Sequence, residues 1–341
     1  MDLDSLPQSG PRPGPHNAVL ATPPRVPGSV RRTTTLDMTF PDGPGGRIVA
    51  DIRGQEICTG ADGNAQILGR LAVTLEIDAR TSEIASVDTA SEGAPLGGLT
   101  GVEVRRGFGR RLAELLPGDR ARRSLAYSAL EDLGGAFLVA GYAPLRAGLL
   151  TRAPDEIKQV VHSQGDVCIG WSSGGPLLET LRRDGRNPIP MGPAAPMIEV
   201  EDDPVAWHPT VPLATHTVRR RRRVDVIAPS ATRAQWQAQH HFRDSYAGFE
   251  GETIMHEYLV DAAFDGDGRL VSVTVDPRVL PWNECPGAAE SAQHLLGISL
   301  DDIDVRARTE LVGATTCTHL TSTLRSLADV RALTEFLPPR L

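Results

Sequence analysis

Lysine is almost missing from this chain: Lys158 is the only one among the 35 basic residues of its 341 positions. A Walker-type phosphate loop, which needs its own lysine, is thereby excluded, and lysine Schiff-base chemistry has one candidate. Aromatic residues make up only 4%. No apolar run approaches the roughly 18 residues of a membrane span. The start Met1-Asp2-Leu3-Asp4 lacks the basic flank and apolar stretch of a secretion signal. Together these predict a cytoplasmic protein with no membrane partner. Four cysteines are too few for a disulfide framework and read as thiols or ligands. Acidic residues outnumber basic ones by 43 to 35, a net charge of −8, which argues against nucleic acid as a general partner.

What is present is organised in four stretches. Residues 1–29 are proline-rich with little apolar periodicity and predict a disordered tail. Residues 30–142 and 218–341 resemble each other. Val30 to Met38 lies over Val218 to Val226 with Val, two Arg and Asp identical; Ile52-Arg53 lies over Phe242-Arg243; Ile67 to Asp78 lies over Ile254 to Asp265. The last pair predicts a β-hairpin in each half, Ala79 to Ser82 and Gly266 to Gly268 supplying the turns. Helical patterns follow over Phe108 to Leu116, Ser124 to Tyr142, Ala288 to Leu296 and His319 to Phe336. The reading is an α+β protein of two similar hairpin-plus-helix lobes from an internal duplication. Residues 143–217 form a Pro/Gly-rich connector in which only Leu177 to Arg183 reads as helix. The run Arg219 to Arg223 falls on the strand equivalent to Arg31 to Thr35. Alternate side chains of a strand face solvent there, which suggests a solvated strand or an anionic-ligand patch ahead of a nucleic-acid surface.

Polar residues able to carry chemistry concentrate in the second half. His256, Glu257, Glu284, Cys285, Cys317 and His319 have no counterparts in the first, where Gly69 lies over His256. Pro286 suits the first position of a helix, which puts Cys285 at its N-terminal end, and Thr318 is a fair cap for the helix after Cys317. Both thiols then sit near positive helix ends, which favour thiolate. Two thiolates and two imidazoles, His256, Cys285, Cys317 and His319, are a ligand set for Zn²⁺ or another divalent transition metal. The chain has no Cys-x-x-Cys and no His-Glu-x-x-His, so a cysteine nucleophile with a histidine base and a purely structural role stay open. Gly170 to Gly174 matches Gly-x-Ser-x-Gly, but the surrounding hairpins are wrong for a hydrolase elbow. Asp166, Cys168 and Trp171 then read as a wall over the site, and Arg243-Asp244 as a surface ion pair.

With an arginine-rich first strand, His256-Glu257-Tyr258, Cys285-Pro286 and Cys317-Thr318-His319-Leu320, the stretch of roughly residues 215–330 resembles the bacterial family catalogued as domain of unknown function 2889. The resemblance implies family-type positions at His256, Cys285, Cys317 and His319; Thr316 stands where the family usually has glycine. It implies where a site lies without naming an activity. The expectation is an enzyme acting on a small organic metabolite by metal-assisted lyase or hydrolase chemistry, with Glu284 or Glu257 moving the proton, as a monomer or a homodimer. The alternatives are a non-enzymatic zinc-binding protein and a cysteine-nucleophile enzyme.

Overall fold

A computed structural model describes residues 10–90, 96–149, 153–229 and 235–337; residues 1–9 of the expected tail and 338–341 of the second lobe lie outside it. Mixed α+β content is as expected. The strands are β1 (Ser29–Thr39), β2 (Ile48–Thr59), β3 (Ala65–Ile77), β4 (Ile84–Thr89), β5 (Val218–Ile227), β6 (Trp236–Gly248), β7 (Gly251–Phe264) and β8 (Leu270–Val279). They form one antiparallel sheet in the order β4-β3-β2-β1-β5-β6-β7-β8. The halves are therefore not separate lobes. Each contributes a four-strand meander, and β1 pairs with β5 over Ser29↔Ile227 to Met38↔Val218. Two apolar cores remain distinct, one under each meander: Leu36, Ile52, Leu75 and Leu130 belong to the first, and Phe242, Val260, Leu295 and Leu324 to the second.

Because β5 is central and covered on both faces, all five arginines of Arg219–Arg223 are buried, none more than 8% exposed. This overturns the solvated strand and the anion patch alike. Buried guanidinium groups must find carboxylates, and these do so alternately on the two faces. Arg219 binds Asp37, Arg220 binds Asp244, Arg221 binds Glu199, Arg222 binds Asp132 and Arg223 lies against Asp225. The even-numbered arginines face Leu125–Glu131, Leu133–Ala140, Thr318–Arg325 and Asp329–Thr334, the helices that pack on the middle of the sheet. The odd-numbered ones face the connector and the N-terminal segment.

The pairs are reciprocal across the β1/β5 junction. Arg31 Nε donates to Asp225 at 2.5 Å, and Arg219 Nε donates to Asp37 at 2.6 Å. Arg32 Nε reaches Glu56 at 2.8 Å, and Arg220 Nε reaches Asp244 at 2.8 Å. A β-bulge follows Glu56 in one half and Asp244 in the other. Thr34 stands opposite both Gly54 and Arg222, and Arg222 opposite Phe242, so Gly54 corresponds to Phe242 and Arg53 to His241. The matching of Ile52-Arg53 with Phe242-Arg243 was two residues out, since a short apolar-basic pair does not fix a register.

Three further expectations change. Residues 10–28 are not a loose tail: an extended, proline-rich backbone leaves its polar groups free for another chain segment, and here Asn17 N–H donates to the Arg278 carbonyl and Leu280 N–H to the Pro15 carbonyl along the edge strand β8. The connector holds a second helix, Pro154–Gln164, besides Pro176–Asp184. The expected helix after Cys285 is a 3-10 segment, Cys285–Leu295. No helix of the described residues is long and apolar enough to cross a membrane.

Candidate metal centre

Strands β6 and β7 and the N-terminus of helix Thr318–Arg325 meet at one point. Alternation on β6 puts Phe242 and Asp244 on the helix-covered face, and the register sets Asp244 opposite His256 and Phe242 opposite Tyr258. Cys317 caps the helix in an extended conformation, which brings His319 in its first turn over His256. The two imidazoles stack with centroids 3.6 Å apart and planes at 17°. His319 Nε2 lies 3.4 Å from Asp244 Oδ2, and its Nδ1 lies 3.7 Å from the Cys317 sulfur. Behind Asp244, Arg220 donates from Nε and Nη2 to both carboxylate oxygens at 2.8 Å and lies over the Phe242 ring.

Among the described residues, Asp244, His256 and His319 are the group whose metal-ligating atoms all lie within 4.8 Å of one another. Thus the expected set divides: His256 and His319 come together, Asp244 joins them, and Cys285 stands apart. Asp244 was read as half of a surface ion pair with Arg243, yet it is 0% exposed and its neighbour points to the opposite face. The register with β7 is the signal that would have found it. Both imidazoles are half-buried and neutral. Burial, aided by the Arg220 charge, pushes His256 down to about 3; burial, competition with His256 for a proton, and the charges of Arg220 and Arg222 push His319 well below its ordinary value. Burial pushes Asp244 up, with Arg220 opposing.

The cysteines are not thiolates. Cys285 and Cys317 do begin helical segments as expected, but burial outweighs the helix ends and pushes both thiols up; Cys168 rises to about 12. Tyr258, whose hydroxyl has no well-formed hydrogen bond, lies in the same apolar pocket beside Cys317. Ile169 and Trp171 pack against the cluster that holds Cys285, Cys317 and Tyr258. Ile169 N–H donates to the Thr316 carbonyl, and Gly170 lies so close to Cys285 that an added Cβ would sit 3.0 Å from its sulfur. Asp166 turns outward to accept from Ser173, and Ser172 follows a 3-10 turn, Ile169–Trp171, rather than a strand-to-helix elbow.

Glu257 is not at the centre. It points to the other face, where His241 Nε2, Arg243 Nε and the Val19 N–H all bind its carboxylate. Burial acts to raise it, but these partners hold it below the usual range. Glu284 differs: both its carboxylate oxygens are buried without a hydrogen-bond partner, and burial pushes it up.

Asp244, His256 and His319 suit a divalent ion in donor chemistry. The imidazoles offer lone pairs, Asp244 keeps a second lone pair on each oxygen beside Arg220, and His256 Nδ1 is buried without any partner. Ligand distances of about 2.0–2.2 Å require the donors to draw in and one stacked ring to turn, since a ligated ion lies near each ring plane. The chain as a whole matches no curated protein and no solved structure. Residues 218–333, the half that carries Asp244, His256 and His319, match the model of the family described as Protein of unknown function (DUF2889), the family that the cysteine and histidine motifs resemble.

Proposed function

We propose that Asp244, His256 and His319 hold a divalent transition metal and that the protein is an enzyme acting on a small organic metabolite by lyase or hydrolase chemistry. The observation that carries this is the three-donor set itself. Two imidazoles and one carboxylate leave positions open for water and substrate, as catalytic sites do, whereas a closed structural site uses four protein ligands. Such an ion, when bound, polarises a substrate oxygen or activates water. The chain's own part is then electrostatic. Arg220 fixes the Asp244 carboxylate from behind, the Cys168, Cys285, Cys317 and Tyr258 pocket keeps water out of one side, and Glu284, protonated more readily than an ordinary glutamate, carries the proton.

Elemental analysis of purified protein should give about one transition-metal ion per chain, lost in His319→Ala. A chelator should abolish turnover of whichever substrate a metabolite screen identifies, and Glu284→Gln should abolish turnover while keeping the ion. Absence of metal from wild type after reconstitution sinks the reading. A second reading rests on the Cys317–His319–Asp244 line, which has the order of a nucleophile, base and orienting carboxylate. It requires activity that survives chelation and is lost on alkylation of Cys317.

We also infer that the two meanders descend from one duplicated unit. The reciprocal Arg31–Asp225 and Arg219–Asp37 pairs and the equivalent bulges after Glu56 and Asp244 support it. An experimental structure in which β1–β4 and β5–β8 superpose only out of register overturns it.

A further inference from the structure

On the face of the sheet opposite His256, a cavity of about 400 Å³ lies between the segment Pro23–Val26 and strands β1, β5, β6, β7 and β8. Arg31 lines it and is only 2% exposed. Its Nε and Nη2 are bound to Asp225, and Nη2 also to the Pro23 carbonyl, but its Nη1 has no acceptor. Beside it on the same face is Arg223, 1% exposed. Its Nε lies 2.7 Å from the same Asp225 without forming a hydrogen bond, its Nη1 has no acceptor, and its Nη2 donates to Gln239. One carboxylate therefore serves two guanidinium groups.

Cationic N–H groups buried without acceptors are costly, and Arg31, which carries one of them, lines a space large enough for a small molecule. The group that completes them is an anion. Part of the lining is apolar, Pro23, Val26 and Ile227 among it, beside the polar Gln237, Ser272 and Thr274. Asp225 and Asp261 also line the cavity, which disfavours a ligand with more than one negative charge. We propose that this cavity binds a small organic monocarboxylate, its carboxylate on Arg31 with Arg223 behind, and its apolar body against the N-terminal segment. The site is independent of the metal centre, which lies across the sheet.

The test is isothermal titration of the full-length protein with benzoate. Saturable one-to-one binding is expected, with benzamide at least about tenfold weaker because it lacks the charge. Arg31→Gln should weaken benzoate by about tenfold or more. Since that variant also unpairs Asp225, Thr274→Trp serves as a second test: Thr274 is exposed on β8 and lines the cavity, so the indole fills the space without touching the ion pairs. Binding lost in Thr274→Trp supports the site. No saturable benzoate binding by wild type, benzamide as tight as benzoate, or binding unchanged in Thr274→Trp overturns it.

Discussion

The two halves of the sheet solve the same electrostatic problem and put different things on top of the solution. In the first half Arg32 pairs with Glu56, and the residue opposite Glu56 on β3 is Gly69. In the second half Arg220 pairs with Asp244, and the residue opposite Asp244 on β7 is His256, with His319 descending from the helix above. The helices also exchange carboxylates across the junction: Asp329 from the second half reaches Arg32, and Asp132 from the first reaches Arg220. A buried arginine–carboxylate pair is thus a scaffold element that both halves need. Only where histidine, not glycine, stands opposite the carboxylate does that pair back the candidate metal centre.

The largest expected effect tests the shared part. Arg32→Met leaves Glu56 and Asp329 buried without that cation, and Arg220→Met does the same to Asp244 and Asp132. Breaking a buried pair from one side costs about 3–5 kcal/mol, a large share of the roughly 5–15 kcal/mol that holds a typical domain together. Urea denaturation should show comparable losses for the two variants. A loss below about 1 kcal/mol in either one would mean that its ion pair is solvated and that the halves are not equivalent.

Acid separates the halves. Residues 30–142 contain no histidine, whereas the second half and the connector hold His240 and His241, pushed down to about 4, and His208 and His256, pushed down to about 3, in each case chiefly by desolvation. Each imidazole is held neutral in the fold, so below about pH 6.5 the unfolded chain takes up protons that the folded chain refuses. The stability they contribute is complete above that pH and is lost as pH falls toward 4. Amide hydrogen exchange compared at pH 7 and 4.5, after correction for the intrinsic rate, should show β6 and β7 losing protection before β2 and β3. Equal loss across the sheet would show that the histidines are hydrated.

Much of this architecture was legible in the residues. Collinear matches of Val30 to Met38 with Val218 to Val226 and of the two hairpins marked the paired meanders, because strand spacing and turn residues are local properties. What was not legible was long-range. Arg219 to Arg223 reads as surface by composition, and only the pairing of β1 with β5 makes it a core strand. Asp244 is one carboxylate among many until the register sets it opposite His256. The helix-end argument for Cys285 and Cys317 was locally right and globally wrong, since desolvation in a pocket closed by Gly170 outweighs a helix terminus. Glu257 lost its place through the alternation of a strand, which turns the residue after His256 to the other face.

The smallest expected effect on stability belongs to the change that makes the second half most like the first. His256→Gly recreates the environment of Gly69, in which the carboxylate and its arginine are satisfied without an imidazole. The imidazole makes no hydrogen bond through its buried Nδ1, so the loss is confined to ring packing against His319 and to the greater freedom of glycine in a strand. About 1–2 kcal/mol covers both, and the melting temperature should fall by only a few degrees for a chain of this size. The same variant removes one of three metal donors, so its bound metal should fall from about one ion per chain to near zero. Chelation of the wild type should leave the melting temperature close to that of the variant, because the second core of Phe242, Val260, Leu295 and Leu324 does not depend on an ion. Unfolding of β5–β8 on chelation would instead make the ion a structural one, and the difference between the halves would then lie in how the second is held together.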